Sequence, residues 1–220
     1  MSLENRLKEL LLDIEVEIDS SVCGGLVWYL EEMLRWNRSI NLTSINNPEE
    51  ALEKHLIDSL TLVALLQGDE QLLDMGSGAG LPGIPVKIVM PSLRILSVDS
   101  AHKKIVFQQH VARSLRLQGF EARSCRIQVL AANPDYVQYF DVVTARALTH
   151  LSQLLEMAQP FLTRGGRLVA MKGPEGVKEL GEAAVAMEKC GFVVDRVRHL
   201  QLPISGAERT LIVLKQQILE

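Results

Sequence analysis

Leu72-Leu73-Asp74-Met75-Gly76-Ser77-Gly78-Ala79-Gly80-Leu81-Pro82-Gly83 is a short apolar run that reaches an acid and then breaks into glycines, with a proline close behind. A run of this kind reads as a buried strand. Glycines serve where the backbone must turn sharply or let a ligand press against it. Pro82 is well placed near the start of a helix. Strand, glycine loop and helix in that order predict a ligand-binding turn at the head of an open α/β sheet.

Downstream of the loop, short apolar runs alternate with helical stretches. Gln71–Met75, Leu93–Asp99, Ala122–Ile127, Phe140–Ala145 and Arg167–Lys172 read as strands. Between them lie helices over Pro82–Met90, His102–Leu117 and Thr149–Phe161, and a turn near Ile127–Ala132. Alternation of this sort builds βαβ units and a parallel sheet. A further helix, Val177–Lys189, precedes two extended runs, Phe192–Leu202 and Thr210–Lys215, joined by the turn residues Pro203 to Ala207. Such a closing hairpin places an antiparallel strand in a seven-stranded, otherwise parallel sheet.

Upstream, the first seventy residues read as helical. Leu3, Leu7, Leu10, Leu11 and Ile14 form one amphipathic stripe. Ser20 or Ser21 could cap a second helix carrying Leu26, Val27, Leu30, Met33 and Leu34. Asn37 to Asn47 holds polar turn residues, and Pro48 could open a third helix running to about Gln67. The expected organisation is a helical cap over residues 1–68 packed on a ligand-binding body over 69–220, with the boundary near Gly68.

Asp74 narrows the choice of ligand. Nicotinamide and flavin cofactors bring a pyrophosphate to such a loop, and a carboxylate ahead of the first glycine would repel it. The same carboxylate attracts the ammonium and sulfonium of S-adenosylmethionine. Asp99 ends the next strand, where an acid can accept hydrogen bonds from ribose hydroxyls; it could equally cap the helix that follows. The helical lead before the loop and the closing hairpin point the same way. Together they predict a Rossmann-like class I fold that binds S-adenosylmethionine and releases S-adenosylhomocysteine.

Several blocks outside the loop are more discriminating: Trp36-Asn37-Arg38-Ser39-Ile40-Asn41-Leu42-Thr43, Lys54-His55-Leu56-Ile57-Asp58-Ser59-Leu60, Val98-Asp99-Ser100 with Lys103 and Lys104, Thr144-Ala145-Arg146-Ala147, Met171-Lys172-Gly173 and Glu208-Arg209. With the loop they make the chain resemble, along nearly its whole length, the bacterial small-subunit (16S) ribosomal RNA guanine-N7 methyltransferases, also called glucose-inhibited division protein B. The resemblance implies that Gly76 and Leu81 contact the donor and Asp99 its ribose; Gly78, in the same loop, is a further donor-binding candidate. Ile127 and Gln128 would lie beside the adenine, and Arg146 would reach into the site. Where the family often carries an acid, this chain has Gln128. The implied partner is 16S ribosomal RNA or the small ribosomal subunit.

Guanine N7 already offers a lone pair at neutral pH, so its methylation needs no dedicated general base, and the sequence shows no obvious Ser-His-Asp or Cys-His arrangement. Arg146, at the ligand-facing end of the fourth strand, is the candidate for positioning the substrate; its planar donors suit guanine O6 or a phosphate, and a salt-bridged structural role is its plainer reading. His55 and Asp58 can share a helix face and orient the loop around Asn41, or clamp cap to body. Lys54, Lys103, Lys172 and Arg209 are candidate phosphate contacts, although each could be an ordinary solvated cation. Trp36 could stack on a flipped base or pack in the core.

Asn133-Pro134-Asp135-Tyr136 is similar to an amino-methyltransferase motif, but it precedes the fourth strand and reads as a turn. No cysteine lies where a cytosine-C5 methyltransferase would need its thiolate. The net charge of −4 argues against a generic nucleic-acid coat. Cys23, Cys125 and Cys190, odd in number and far apart, fit a reduced cytoplasmic protein better than a disulfide or zinc framework. No metal site, secretory signal or bilayer-spanning run is expected, and a monomer is favoured. Competing readings are a small-molecule or protein methyltransferase with the cap as a lid, a nucleotide-dependent oxidoreductase, and a non-catalytic RNA-binding factor.

Overall fold

The computed structural model describes residues 2–217; Met1 and residues 218–220, the extremes of the two expected segments, lie outside the described residues. Seven strands form one sheet in the order β3-β2-β1-β4-β5-β7-β6. They are β1 (Gln71–Met75), β2 (Arg94–Asp99), β3 (Phe120–Ser124), β4 (Phe140–Arg146), β5 (Leu162–Lys172), β6 (Phe192–Gln201) and β7 (Glu208–Gln216). β7 runs antiparallel to both β5 and β6, and the remaining pairs are parallel. The strand order reverses between β1 and β4, and in open sheets of this kind the crevice beyond the strand ends at the reversal is where ligands bind.

The helices are α1 (Leu3–Asp13), α2 (Ser20–Ile40), α3 (Pro48–Ala51), α4 (Asp58–Leu60), α5 (Gly83–Val89), α6 (His102–Ser114), α7 (Ile127–Ala131), α8 (Leu151–Ala158), α9 (Gly176–Glu182) and α10 (Ala184–Cys190). A π-helical segment, Leu52–Ile57, joins α3 to α4. Leu7, Leu26, Leu30 and Leu56 share one buried cluster with Ala79, Leu81, Ile84 and Phe107. The upstream helices therefore bury their apolar stripes directly against the glycine loop and α5–α6.

Local chemistry moved several expected boundaries. The cap of α2 is Asp19, not Ser20 or Ser21: its carboxylate accepts from Val22 N at 2.9 Å and from Ser21 Oγ at 2.7 Å. The helix also runs through Asn37, because that side chain is spent on Thr43 and Asn46 of the loop that follows instead of competing with the helix backbone. The third strand spans Phe120–Ser124 and not Ala122–Ile127; Ile127 and Leu130, three apart, turn to the core as one helical face. The expected helix Val177–Lys189 breaks at buried Ala183 into α9 and α10.

Candidate active site

The ends of β1, β2, β4 and β5 deliver Gly76, Asp99, Arg146 and Lys172 to one rim of the sheet. Because β7 is antiparallel, Thr210 at its start is paired with Lys172, and Arg209 arrives at the same rim. A cavity of about 630 Å³ opens there, within the usual range of small-molecule sites. Gly76, Gly78, Leu81, His55, Arg146, Lys172 and Arg209 line it.

The glycine loop is held from three sides. Gly76 N donates to Val98 O at 2.8 Å, and Gly78 N donates to the Asp99 carboxylate at 2.8 Å. Tyr29 of α2, fully buried, donates its hydroxyl to Ala79 O at 2.9 Å. Gln108 of α6 donates to Ser77 Oγ and to Gly78 O, each at 2.8 Å. Gly76 has φ of +68°, and an added Cβ would lie 2.4 Å from the Leu148 side chain; only glycine leaves the loop open to a ligand there.

Asp74 lies beneath this loop, fully buried. One carboxylate oxygen accepts from Gly83 N at 2.9 Å, and the other has no partner. Burial pushes its pKa up to about 7, with the Gly83 amide and Arg146 pulling the other way. An orphaned buried oxygen beside a glycine cradle fits a cationic ligand better than a phosphate pair.

Arg146 lines the cavity and is held there through one guanidinium nitrogen. Its guanidinium donates to Lys54 O at 2.7 Å and to Asp58 at 3.2 Å. Arg209 donates to the other Asp58 oxygen at 2.9 Å, so a single buried carboxylate, 4% exposed, fixes two guanidiniums. The π-helical turn brings Lys54 O, His55 and Asp58 to this wall together, as such turns often do at sites. His55 Nε2 lies 2.9 Å from the Thr43 hydroxyl. Burial and the nearby Arg146 lower its pKa to about 4, so the imidazole is neutral at physiological pH.

Other expected site residues are placed differently. Asn41 is exposed; it ends α2 in a left-handed conformation, while its neighbours Leu42 and Thr43 line the cavity. Lys103 is exposed on α6, and it is Lys104 whose ammonium approaches Gly78. Lys172 is no solvated phosphate contact: its buried ammonium donates to Thr149 O at 2.6 Å and to Glu179 at 2.7 Å. Against the upward push of burial, Lys172 and the Leu151 amide hold Glu179 below the usual carboxylate range. Lys54 pairs with Glu50 at 2.8 Å. Ile127 and Gln128 open α7, just past Ser124, the register partner of Asp99; neither lines the cavity. Trp36 packs edge-on against Phe107, with ring centroids 5.4 Å apart.

Sequence reasoning missed Tyr29, Gln108, Leu148 and Glu179, and assigned no role to Asn37. Asn37 accepts from Thr43 N at 2.8 Å and donates to Asn46 at 2.9 Å, folding the loop after α2 against the cavity. Gln108 alone left a trace: a polar residue three from Ile105 and Val111 on an otherwise apolar face.

A family model described as rRNA small subunit methyltransferase G matches residues 23–212. The chain belongs to that family. "Ribosomal RNA small subunit methyltransferase G" of Syntrophotalea carbinolica is 65% identical, covering 98% of this chain and 99% of the relative. Its namesake in Geobacter sp. strain M21 is 41% identical over 97% of each chain. The fold is also that of M. jannaschii TYW2, solved in complex with AdoMet: TM-score 0.58, 12% identity, 74% of this chain and 76% of that one. Membership makes this rRNA small subunit methyltransferase G family chain an S-adenosylmethionine-dependent rRNA methyltransferase, in agreement with the reading of the glycine loop and the flanking blocks. Among the described residues, no helix is long and apolar enough to cross a membrane.

Proposed function

We propose that the enzyme methylates N7 of a guanine in 16S ribosomal RNA, in the cytoplasm and as a monomer, with residues 1–68 serving as a cap that forms one wall of the site. The observation that carries the assignment of residues is the convergence of the Gly76–Leu81 loop and the Arg146–Asp58–Arg209 clamp on a single cavity, with Asp74 buried behind that loop on the Gly83 amide. Bound S-adenosylmethionine supplies an electrophilic methyl carbon on a sulfonium. Asp74, with its unpartnered oxygen, gives the donor's positive end a buried counter-charge. Gly76, Gly78 and Leu81 shape the cradle, and Asp99 retains lone pairs for ribose hydroxyls beyond those used by Gly78 and Ala101. Ile127 and Gln128, one strand farther along the rim, flank the adenine.

Guanine N7 attacks without prior deprotonation, so the chain's task is alignment, which can supply roughly 7–11 kcal/mol in favourable cases. Arg146 and Arg209, fixed by Asp58, present planar donors to guanine O6 or a phosphate. Neutral His55 holds Thr43, and through it the loop from Asn41 to Ile45, against the incoming base. Purified protein is incubated with methyl-labelled donor and small subunits from a strain lacking this activity, and methylated guanines are mapped by mass. Label on a guanine N7 in 16S RNA is expected; label confined to a protein or metabolite refutes the proposal.

A further inference from the structure

From Ser100 to Phe120 the chain contains Lys103, Lys104, Arg113, Arg116, His102 and His110 and no aspartate or glutamate, although the whole chain has net charge −4. These residues lie on or beside α6, which packs against α2. Lys103 and Arg113 are exposed, and Lys104 reaches the glycine loop at Gly78. Along the seam between the two helices sit both tryptophans of the sequence. The half-buried His110 ring lies 5.0 Å from Trp36 and 6.2 Å from Trp28, tilted about 30° to each. Buried Glu32 accepts from His110 at 2.7 Å, from Trp36 Nε1 at 3.0 Å and from exposed Arg35, which fixes the half-buried rings along the seam, where Trp28 and Trp36 also pack on the core.

The seam is continuous with the cavity. The end of α2 leads into the Leu42–Ile45 loop that lines it, and the start of α6 abuts Gly78. From Lys103 to Arg113 the helix extends about 15 Å away from that mouth. Cations beside aromatic rings are the chemistry of single-stranded nucleic acid binding, in which phosphates meet the charges and bases meet the ring faces. Exposed Glu31 and paired Glu32 lie on the α2 half of the seam, whereas the α6 stretch carries four Lys/Arg cations and no acid, a balance that favours a polyanionic strand on the α6 side.

We propose that the α2–α6 seam, with Lys103, His110 and Arg113 at its surface, is a docking track for the unpaired RNA strand adjoining the target guanine. This rests on the rRNA reading of the cavity and adds where the substrate is held outside it. The track accounts for RNA binding by an acidic protein: the charge needed is concentrated on one helix.

The test compares full-length wild type, Lys103→Ala/Arg113→Ala, and the control Lys189→Ala/Arg196→Ala, whose exposed cations lie elsewhere. A single-stranded RNA oligonucleotide is titrated while tryptophan fluorescence is read, and KM for small subunits is measured alongside. Expected are quenching in the wild type and the control, and affinity about tenfold weaker in the track variant at about 0.1 M salt, with the slope of log K against log salt reduced by about 1.4 for two lost phosphate contacts. KM rises by a similar factor while affinity for S-adenosylhomocysteine stays unchanged. Methyl transfer by the wild type combined with wild-type RNA affinity and salt slope in the track variant overturns the track alone. No transfer to ribosomal RNA by the wild type overturns the rRNA reading and the track with it.

Discussion

Replacing Asp74 by Asn should stabilise the free protein while weakening its grip on the donor. Asp74 is fully buried with one oxygen unpartnered, and its pKa is raised to about 7. In the unfolded chain the same carboxyl ionises near pH 4. Between those values the folded state keeps a proton that the unfolded state has released, so stability falls as pH rises through this window. The cost approaches a ceiling of about 4 kcal/mol by pH 8 and is below about 1 kcal/mol at pH 4. Asn accepts the Gly83 amide as Asp does and carries no charge. The gain in urea-unfolding free energy of Asp74→Asn over wild type should therefore grow from pH 4 to pH 8. Donor affinity should move oppositely: wild-type binding weakens about tenfold per pH unit below about 7, because a cation selects the ionised form. The variant binds weakly at every pH, with no such slope. Urea titrations and calorimetry with S-adenosylmethionine at each pH measure both quantities. A variant no more stable than wild type at pH 8, or wild-type affinity flat between pH 5.5 and 7, would refute the reasoning.

The remaining predictions concern the clamp and the loop. Asp58→Asn removes the common counter-charge of Arg146 and Arg209; it should cost about 3–5 kcal/mol in urea unfolding and lower kcat at least tenfold with donor affinity nearly unchanged. Arg146→Ala should abolish most methyl transfer and, since Lys54 O also loses its donor, reduce stability by about 1–3 kcal/mol; near-normal turnover would remove Arg146 from the positioning role. Gly76→Ala forces a side chain into positive φ against Leu148; donor affinity in calorimetry should fall more than tenfold, for a stability loss of about 1–2 kcal/mol. Tyr29→Phe leaves Ala79 O without its hydroxyl, and a loss of about 1 kcal/mol, with a modest rise in donor Kd, is the expected reading.

What the sequence determined by itself was the sheet and the loop. Periodicity, the glycines after Met75 and the alternation of strand and helix are local signals, carried by residues a few positions apart, and they located all seven strands. The blocks around Asn37, His55, Arg146 and Arg209 likewise marked the residues that gather at the rim. Only the folded chain decided what those residues touch. Asp58 meets Arg146 across 88 positions and Arg209 across 151, and Tyr29 reaches Ala79 across 50. No spacing rule spans such separations, because the partners are set by how α2, the π-helical turn and the antiparallel β7 pack against one another. The same packing buried Lys172 against Glu179 and left Lys103 in solvent. In the sequence both are simply lysines, since charge is encoded by the residue and burial by the residues packed around it.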